Sequence, residues 1–132
     1  MEPRLIDVAQ SCLDAAQTGA LTFPEIVATL MREGFESYAI DFRRACATYY
    51  RADGDSVVLP IAPHGPVAER FETAAIKAAI LEAQTQAPGY TYAGFCDKVT
   101  AAGCAGYVVS FPGRRAVYSG RTAEAHIEHF PR

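Results

Sequence analysis

The feature that most constrains this chain is that it repeats itself. When Thr22 is set against Thr91, an offset of 69 residues (91 − 22), Gly34 falls on Gly103, Tyr38 on Tyr107 and Phe42 on Phe111 without a gap. Ala47 then meets Ala116 and Tyr49 meets Tyr118. Similar residues fill the register between them: Phe23 with Tyr92, Ile26 with Phe95, Leu30 with Val99, Ile40 with Val109. Upstream, a slip of one residue sets Val8 against Ile76, Cys12 against Ile80 and Leu13 against Leu81. Two amphipathic units can align by pattern alone, but identical Gly, Tyr and Phe in one register point to duplication. Two copies at so long a period predict a pseudo-symmetric domain and not an open solenoid of short repeats. The spacing gives a single domain with repeat 1 over 1–60, a Pro/Gly-rich linker over 61–66 and repeat 2 over 67–132.

Each copy has the same grammar. Leu5, Val8, Ala9, Cys12, Leu13 and Ala16 recur at helical spacing, and Gly19 suits a left-handed cap. Thr22 and Glu25 have the spacing of a capping box, with Pro24 in the first turn where its missing N–H costs nothing. Ile26, Val27, Leu30 and Met31 supply the apolar stripe of this second helix, and Gly34 ends it. Alternation then predicts a strand with Tyr38, Ile40 and Phe42 on one face and Ala39 and Asp41 on the other. Arg43 and Arg44 make a turn, Ala45 to Tyr50 returns, and Asp53-Gly54 leads into a third strand from Ser56 to Ile61. In the second copy a helix is expected over 70–86 and another that opens at Thr91 and ends before Gly103. Strands follow at Tyr107 to Phe111, Arg114 to Ser119 and Ala125 to Phe130.

The predicted product is an α+β fold: a duplicated helix–helix–three-strand unit forming a pseudo-twofold antiparallel sheet, with four helices packed on one face. The chain has 132 residues, and a domain of that size buries roughly two-thirds of its unfolded surface. With 50% hydrophobic and 20% charged residues it reads as globular.

Charge and cysteines narrow the classes of partner. The net charge of −3 gives no global field for phosphates, so nucleic acid is not expected as a partner. Nothing approaches the roughly 20 apolar residues that span a bilayer, so no membrane association is expected. The start of the chain carries Glu2 and Asp7 and does not read as a signal peptide. Cys12, Cys46, Cys96 and Cys104 form no C-x-x-C pair, which fits reduced, mostly buried thiols and a cytoplasmic protein.

Several strings carry a family resemblance. They are Thr22-Phe23-Pro24-Glu25, Gly34-Phe35-Glu36-Ser37-Tyr38, Thr48-Tyr49-Tyr50, Gly113-Arg114-Arg115-Ala116-Val117-Tyr118, and the closing His126-Ile127-Glu128-His129-Phe130-Pro131. In order and over nearly the whole chain they resemble the YbcV-like bacterial family, whose members are sometimes labelled phage envelope proteins. The resemblance implies a small bacterial protein with relatives in prophage regions. It carries over no activity, cofactor or catalytic residue.

Four groups of residues are candidates for chemistry. Glu124, His126 and Glu128 alternate onto one strand face, with His129 on the other. Imidazole and carboxylate together can hold a divalent ion or move protons, with His64 as a further ligand. The same alternation also describes a solvated edge strand. Arg114 and Arg115 follow Pro112-Gly113 and offer a planar fork for a carboxylate or phosphate; turn arginines are equally at home in solvent. Tyr38, Tyr49, Tyr107 and Tyr118 occupy matched places, which suits core packing first and a pocket between the copies second. Cys96 and Cys104 align with Val27 and Phe35, which favours burial over nucleophilic use. The second helix lacks base-reading side chains at its start, so a helix-turn-helix reading is unfavourable.

These residues predict a non-catalytic binding module. Its partner would be a small anionic ligand or a protein, a second copy of the chain included, met through the open sheet face and the Arg114/Arg115 turn. Arg114, Arg115, Tyr38, Tyr107, His126 and Glu128 are the ligand-binding residues, with no metal and no cofactor. The alternatives are a small hydrolase or metal-dependent enzyme centred on His126 and Glu128, and a phage- or stress-associated interaction protein.

Overall fold

The computed structural model of the chain describes residues 1–131. Arg132, which closes the second repeat as read from the sequence, lies outside the described residues. Helices α1 (Pro3–Thr18) and α2 (Phe23–Arg32) precede strands β1 (Phe35–Asp41), β2 (Cys46–Arg51) and β3 (Ser56–Pro60). Helices α3 (Thr73–Thr85) and α4 (Tyr92–Ala101) then precede β4 (Cys104–Ser110), β5 (Arg115–Gly120) and β6 (Ala125–His129). The strands form one antiparallel sheet in the order β3-β2-β1-β4-β5-β6. The α+β duplication expected from the sequence is the fold.

The symmetry is carried by cross-strand register. β1 and β4 pair with Tyr38 opposite Val109 and Ile40 opposite Tyr107, so each of these two pairs is the other with its members exchanged by the 69-residue offset. Ala39 opposite Val108 lies on the axis. The outer strands repeat the same pairing, Tyr49 with Val57 and Tyr118 with His126. Even the irregularity near the start of the first strand recurs, between Phe35 and Ser37 and between Cys104 and Gly106.

Local chemistry explains the elements. Thr22 Oγ1 accepts from the Glu25 amide at 3.4 Å while Glu25 Oε1 accepts from the Thr22 amide at 3.0 Å, a closed capping box. Thr91 caps α4 through the Gly94 amide, with no carboxylate to return the bond. Gly34 and Gly103, at φ +86 and +93, turn both second helices into their strands. At Gly103 a Cβ would sit 2.0 Å from the carbonyl oxygen of Arg70, so no side chain fits there.

That close approach also moves a helix boundary. The helix expected from residue 70 begins at Thr73, because the chain through Arg70 and Glu72 crosses Gly103 and the Glu72 amide donates to Ala102 O at 2.7 Å. The segment through Arg70 is thus held against the end of α4, and the helical ladder starts only at Glu72, whose carbonyl accepts from the Ile76 amide at 3.1 Å. The alignment of the first helices also shifts. Ala9, Cys12 and Leu13 are buried in α1, and Ile76, Ala79 and Ile80 in α3, a two-residue slip (76 − 9 = 67) where one was expected. Leu81 consequently stands outward at 58% exposure while Leu13 is buried. Met31, expected in the stripe of α2, is 54% exposed because Ile26 and Leu30 already fill the arc that faces the sheet.

The core lies between the helices and one sheet face. Leu5, Leu13, Ile26, Leu30, Ile76, Ile80, Phe95 and Val99 meet the inward residues of both copies in one cluster. The linker leaves the sheet at Ile61, whose amide donates to Ala45 O, and is then tied to α4: Thr100 Oγ1 donates to His64 O at 3.1 Å, and just beyond the linker the Ala68 amide donates to Thr100 O. The opposite sheet face carries no helix.

Candidate functional site

The matched tyrosines make the centre of the core. Tyr38 stacks on Tyr49 with ring centroids 5.4 Å apart and Tyr107 on Tyr118 at 5.1 Å, both pairs at 29°. Tyr38 and Tyr107 meet edge to face across the seam at 6.3 Å. The Tyr107 and Tyr92 hydroxyls are hydrogen-bonded to each other at 2.5 Å. Burial drives Tyr38, Tyr92 and Tyr107 well above the ordinary tyrosine value, so these hydroxyls stay protonated. All four matched rings are buried, which makes Tyr38 and Tyr107 packing residues at the interface of the copies.

Arg114 and Arg115 diverge. Arg114 takes the left-handed conformation at φ 54, the same place that Ala45 fills at φ 53 in the first copy. Its guanidinium donates to Pro131 O and its carbonyl accepts from the Phe130 amide, clamping the end of the described chain. Arg115 begins β5, is exposed, and its Nε donates to Gly113 O at 3.1 Å. Its cross-strand neighbours are Ser110 and His129.

His126 and Glu128 point the other way, toward the helices. Glu128 Oε1 accepts from Gln84 Nε2 of α3 at 2.9 Å, and Glu128 Oε2 lies 3.5 Å from His126 Nε2. That nitrogen is buried and makes no hydrogen bond. The first copy has Val57 and Leu59 at the matched positions, so the polar pair belongs to the second copy alone. Glu124 falls outside β6 and accepts from Thr122 Oγ1. His64 pairs with Asp97, Nδ1 to Oδ1 at 2.9 Å, with its ring edge on Phe42. Among the described residues no three His, Cys, Asp or Glu side chains gather as metal ligands. The six expected ligand-binding residues therefore do not converge: two are core, two line the helix side of β6, Arg114 holds the chain end and Arg115 faces outward.

The cysteines follow the packing reading. Burial pushes the Cys96 thiol up to about 12 and the Cys104 thiol up to about 11, away from thiolate chemistry. Surface concavities are small. One of about 170 Å³ between α3 and α4 is bridged by the ion pair of Lys98 and Glu82, and one of about 270 Å³ is rimmed by Glu69, Glu72 and Glu124 with Arg70 as the one cation in its lining. Small-molecule sites run to roughly 300–1,000 Å³, and three carboxylates against one guanidinium leave the second concavity net acidic.

Sequence reasoning left the open sheet face free for a partner; what it passed over is the apolar row that this face carries. Cross-strand register lines up Val58, Thr48, Ala39, Val108, Val117 and Ile127 in one row across all six strands. Val58, Val108 and Ile127 are 61, 47 and 45% exposed. One flanking row reads Pro60, Cys46, Asp41, Gly106, Ser119, Ala125 and the other Ser56, Tyr50, Ser37, Ser110, Arg115, His129. Within these three rows the full charges are Asp41 and Arg115. The signal was present in the strand alternation: a face left to water should place polar residues at the positions of Val58, Val108, Val117 and Ile127.

No helix among the described residues is long and apolar enough to cross a membrane. No known family profile matches the chain, and no curated protein sequence is significantly similar to it.

Proposed function

We propose that this protein is a non-catalytic binding module that presents the open face of its sheet to a protein partner. The observation that carries this reading is the apolar row through Val58, Val108 and Ile127, flanked by rows with one charge each. Exposed apolar patches bounded by polar rows are characteristic of interaction surfaces. A small anionic ligand is the weaker partner: Arg115 stands without a second free cation beside it in the three rows, and the concavities described above are too small or too acidic. The module works in the cytoplasm, without nucleic acid, in line with its net charge of −3. Its resemblance to the YbcV-like family supports reading it as a bacterial, prophage-associated interaction protein of phage or stress response.

A photo-crosslinking residue at Val108, compared with one at Leu81 on the helix surface, tests this in native cells. Protein adducts at 108 and not at 81 are expected; a chain that crosslinks to nothing through 108 would sink the reading. Arg115-dependent binding of phosphate or a dicarboxylate would shift the assignment to the anionic ligand.

A second reading rests on His126. A buried, unbonded imidazole nitrogen 3.5 Å from Glu128 is an unused proton-transfer pair, the arrangement a small hydrolase would need. Screening ester and phosphoester substrates against wild type and His126→Ala tests it, and hydrolysis that survives the substitution dismisses it.

A further inference from the structure

The open face has the properties of a surface that meets its own copy, and we infer that the partner it takes is a second copy of this chain, packed sheet to sheet. This inference rests on the binding-module reading above and names its occupant.

Three observations select a second copy. The first is self-complementarity. The 69-residue offset sends Val58 to Ile127, Thr48 to Val117 and Ala39 to Val108, so the apolar row reads the same from either end. A copy laid over it with its twofold axis along the row sets each residue against its own counterpart: Val58, Ala39, Val108, Val117 and Ile127 meet apolar partners, and Thr48 meets Thr48.

The second is charge. That operation places the row holding Asp41 over the row holding Arg115, with Asp41 of β1 over Ser37 of the copy and Arg115 of β5 over Ser119 of the copy, so within these rows no like charges are set against each other. A like-signed face would repel its own copy; this one does not.

The third is area. Six strands at their usual spacing and three rows of alternate residues give a flat footprint of about 29 by 17 Å, roughly 500 Å² on each copy. Two copies bury about 1,000 Å² together, the lower limit for a specific interface. The product is a four-layer helix–sheet–sheet–helix sandwich, with sheets about 10 Å apart in the aligned arrangement. Its size predicts a reversible dimer that dissociates on dilution.

The test is sedimentation equilibrium of the purified protein over a wide concentration range, with the crosslinked species from position 108 identified by mass. A reversible rise from one chain to two supports the inference. Association weakened at least about tenfold in Val108→Glu, which buries two charges per dimer, and unchanged in Leu81→Glu supports it further. Thr48→Lys, on the same row, serves the same purpose should Val108→Glu lose its native circular dichroism. A protein that stays monomeric, or a dimer indifferent to both face variants, overturns the inference. Adducts from 108 to a different polypeptide, with a monomer in the centrifuge, overturn self-association while the binding-module reading stands. No adduct at all removes both.

Discussion

Ala39 of β1 and Val108 of β4 face each other directly across the centre of the sheet, and each is the other's counterpart under the 69-residue offset. A duplicated unit can do this only if its first strand pairs antiparallel with its own copy. The two cores then merge through Tyr38 and Tyr107, and the opposite face runs continuously over six strands.

The two crossing glycines of the repeat should respond unequally to the same change. Both have positive φ, so Gly34→Ala carries the left-handed penalty of about 1–2 kcal/mol. At Gly34 the added carbon would meet the end of the Arg51 side chain, which can move; at Gly103 it would meet the backbone of Arg70. Gly103→Ala should therefore cost more than twice as much, about 3–5 kcal/mol. Urea denaturation of both variants checks this, and equal losses would refute the close approach of the 70–72 segment.

The copies also mark a place for stabilisation. Ala123 holds φ 64 where the first copy has Gly54. Ala123→Gly should raise stability by about 0.5–1 kcal/mol, the relief of strain less the added freedom of the unfolded chain. A lower melting temperature in this variant would contradict the turn geometry.

The tyrosine cluster fixes the behaviour at alkaline pH. Tyr107→Phe leaves the Tyr92 hydroxyl buried without its partner and should cost about 1–3 kcal/mol. Replacing both should cost less than the two single losses combined. In wild type the folded-state values of Tyr38, Tyr92 and Tyr107 lie above their ordinary value near 10, raised by burial. Their contribution is complete below that value and is lost as pH rises toward the folded-state values, because the unfolded chain sheds protons that the core retains. Tyrosinate absorbance should therefore appear together with unfolding. Titration of these tyrosines in a chain that keeps its native circular dichroism would show the rings to be accessible.

Thiol labelling separates the cysteines. Cys12, Cys96 and Cys104 are buried and their thiols are pushed up by burial, whereas Cys46 is half-exposed. One fast modification, at Cys46, should be followed by three that wait for unfolding, as read by mass spectrometry over time. Fast native modification of Cys96 would restore the nucleophile that its surroundings argue against.

Much of the fold was legible because Gly34, Tyr38 and Phe42 recur in register, and a strand pattern met twice constrains pairing as well as identity. The slip between α1 and α3 was misread because alanines carry little periodic signal. Ala9, Cys12 and Ala79 bury as well as larger residues do, so Leu81 was set against Leu13 on identity alone. The candidate site was less legible. Alternation correctly placed His126 and Glu128 on one face but could not say that this face looks toward α3. The partners of His64 and Tyr107 come from tertiary packing: Asp97 is 33 residues away and Tyr92 is 15 away. The apolar row on the open face was readable strand by strand, yet its continuity depends on cross-strand register, which no single strand encodes.

The central claim is the symmetric seam, and interstrand nuclear Overhauser contacts test it most directly. The account predicts contacts linking Ala39 with Val108, together with the exchanged pairs Tyr38 with Val109 and Ile40 with Tyr107. Contacts that pair β1 with any strand other than β2 and β4, or that set Ala39 one residue away from Val108, would contradict it.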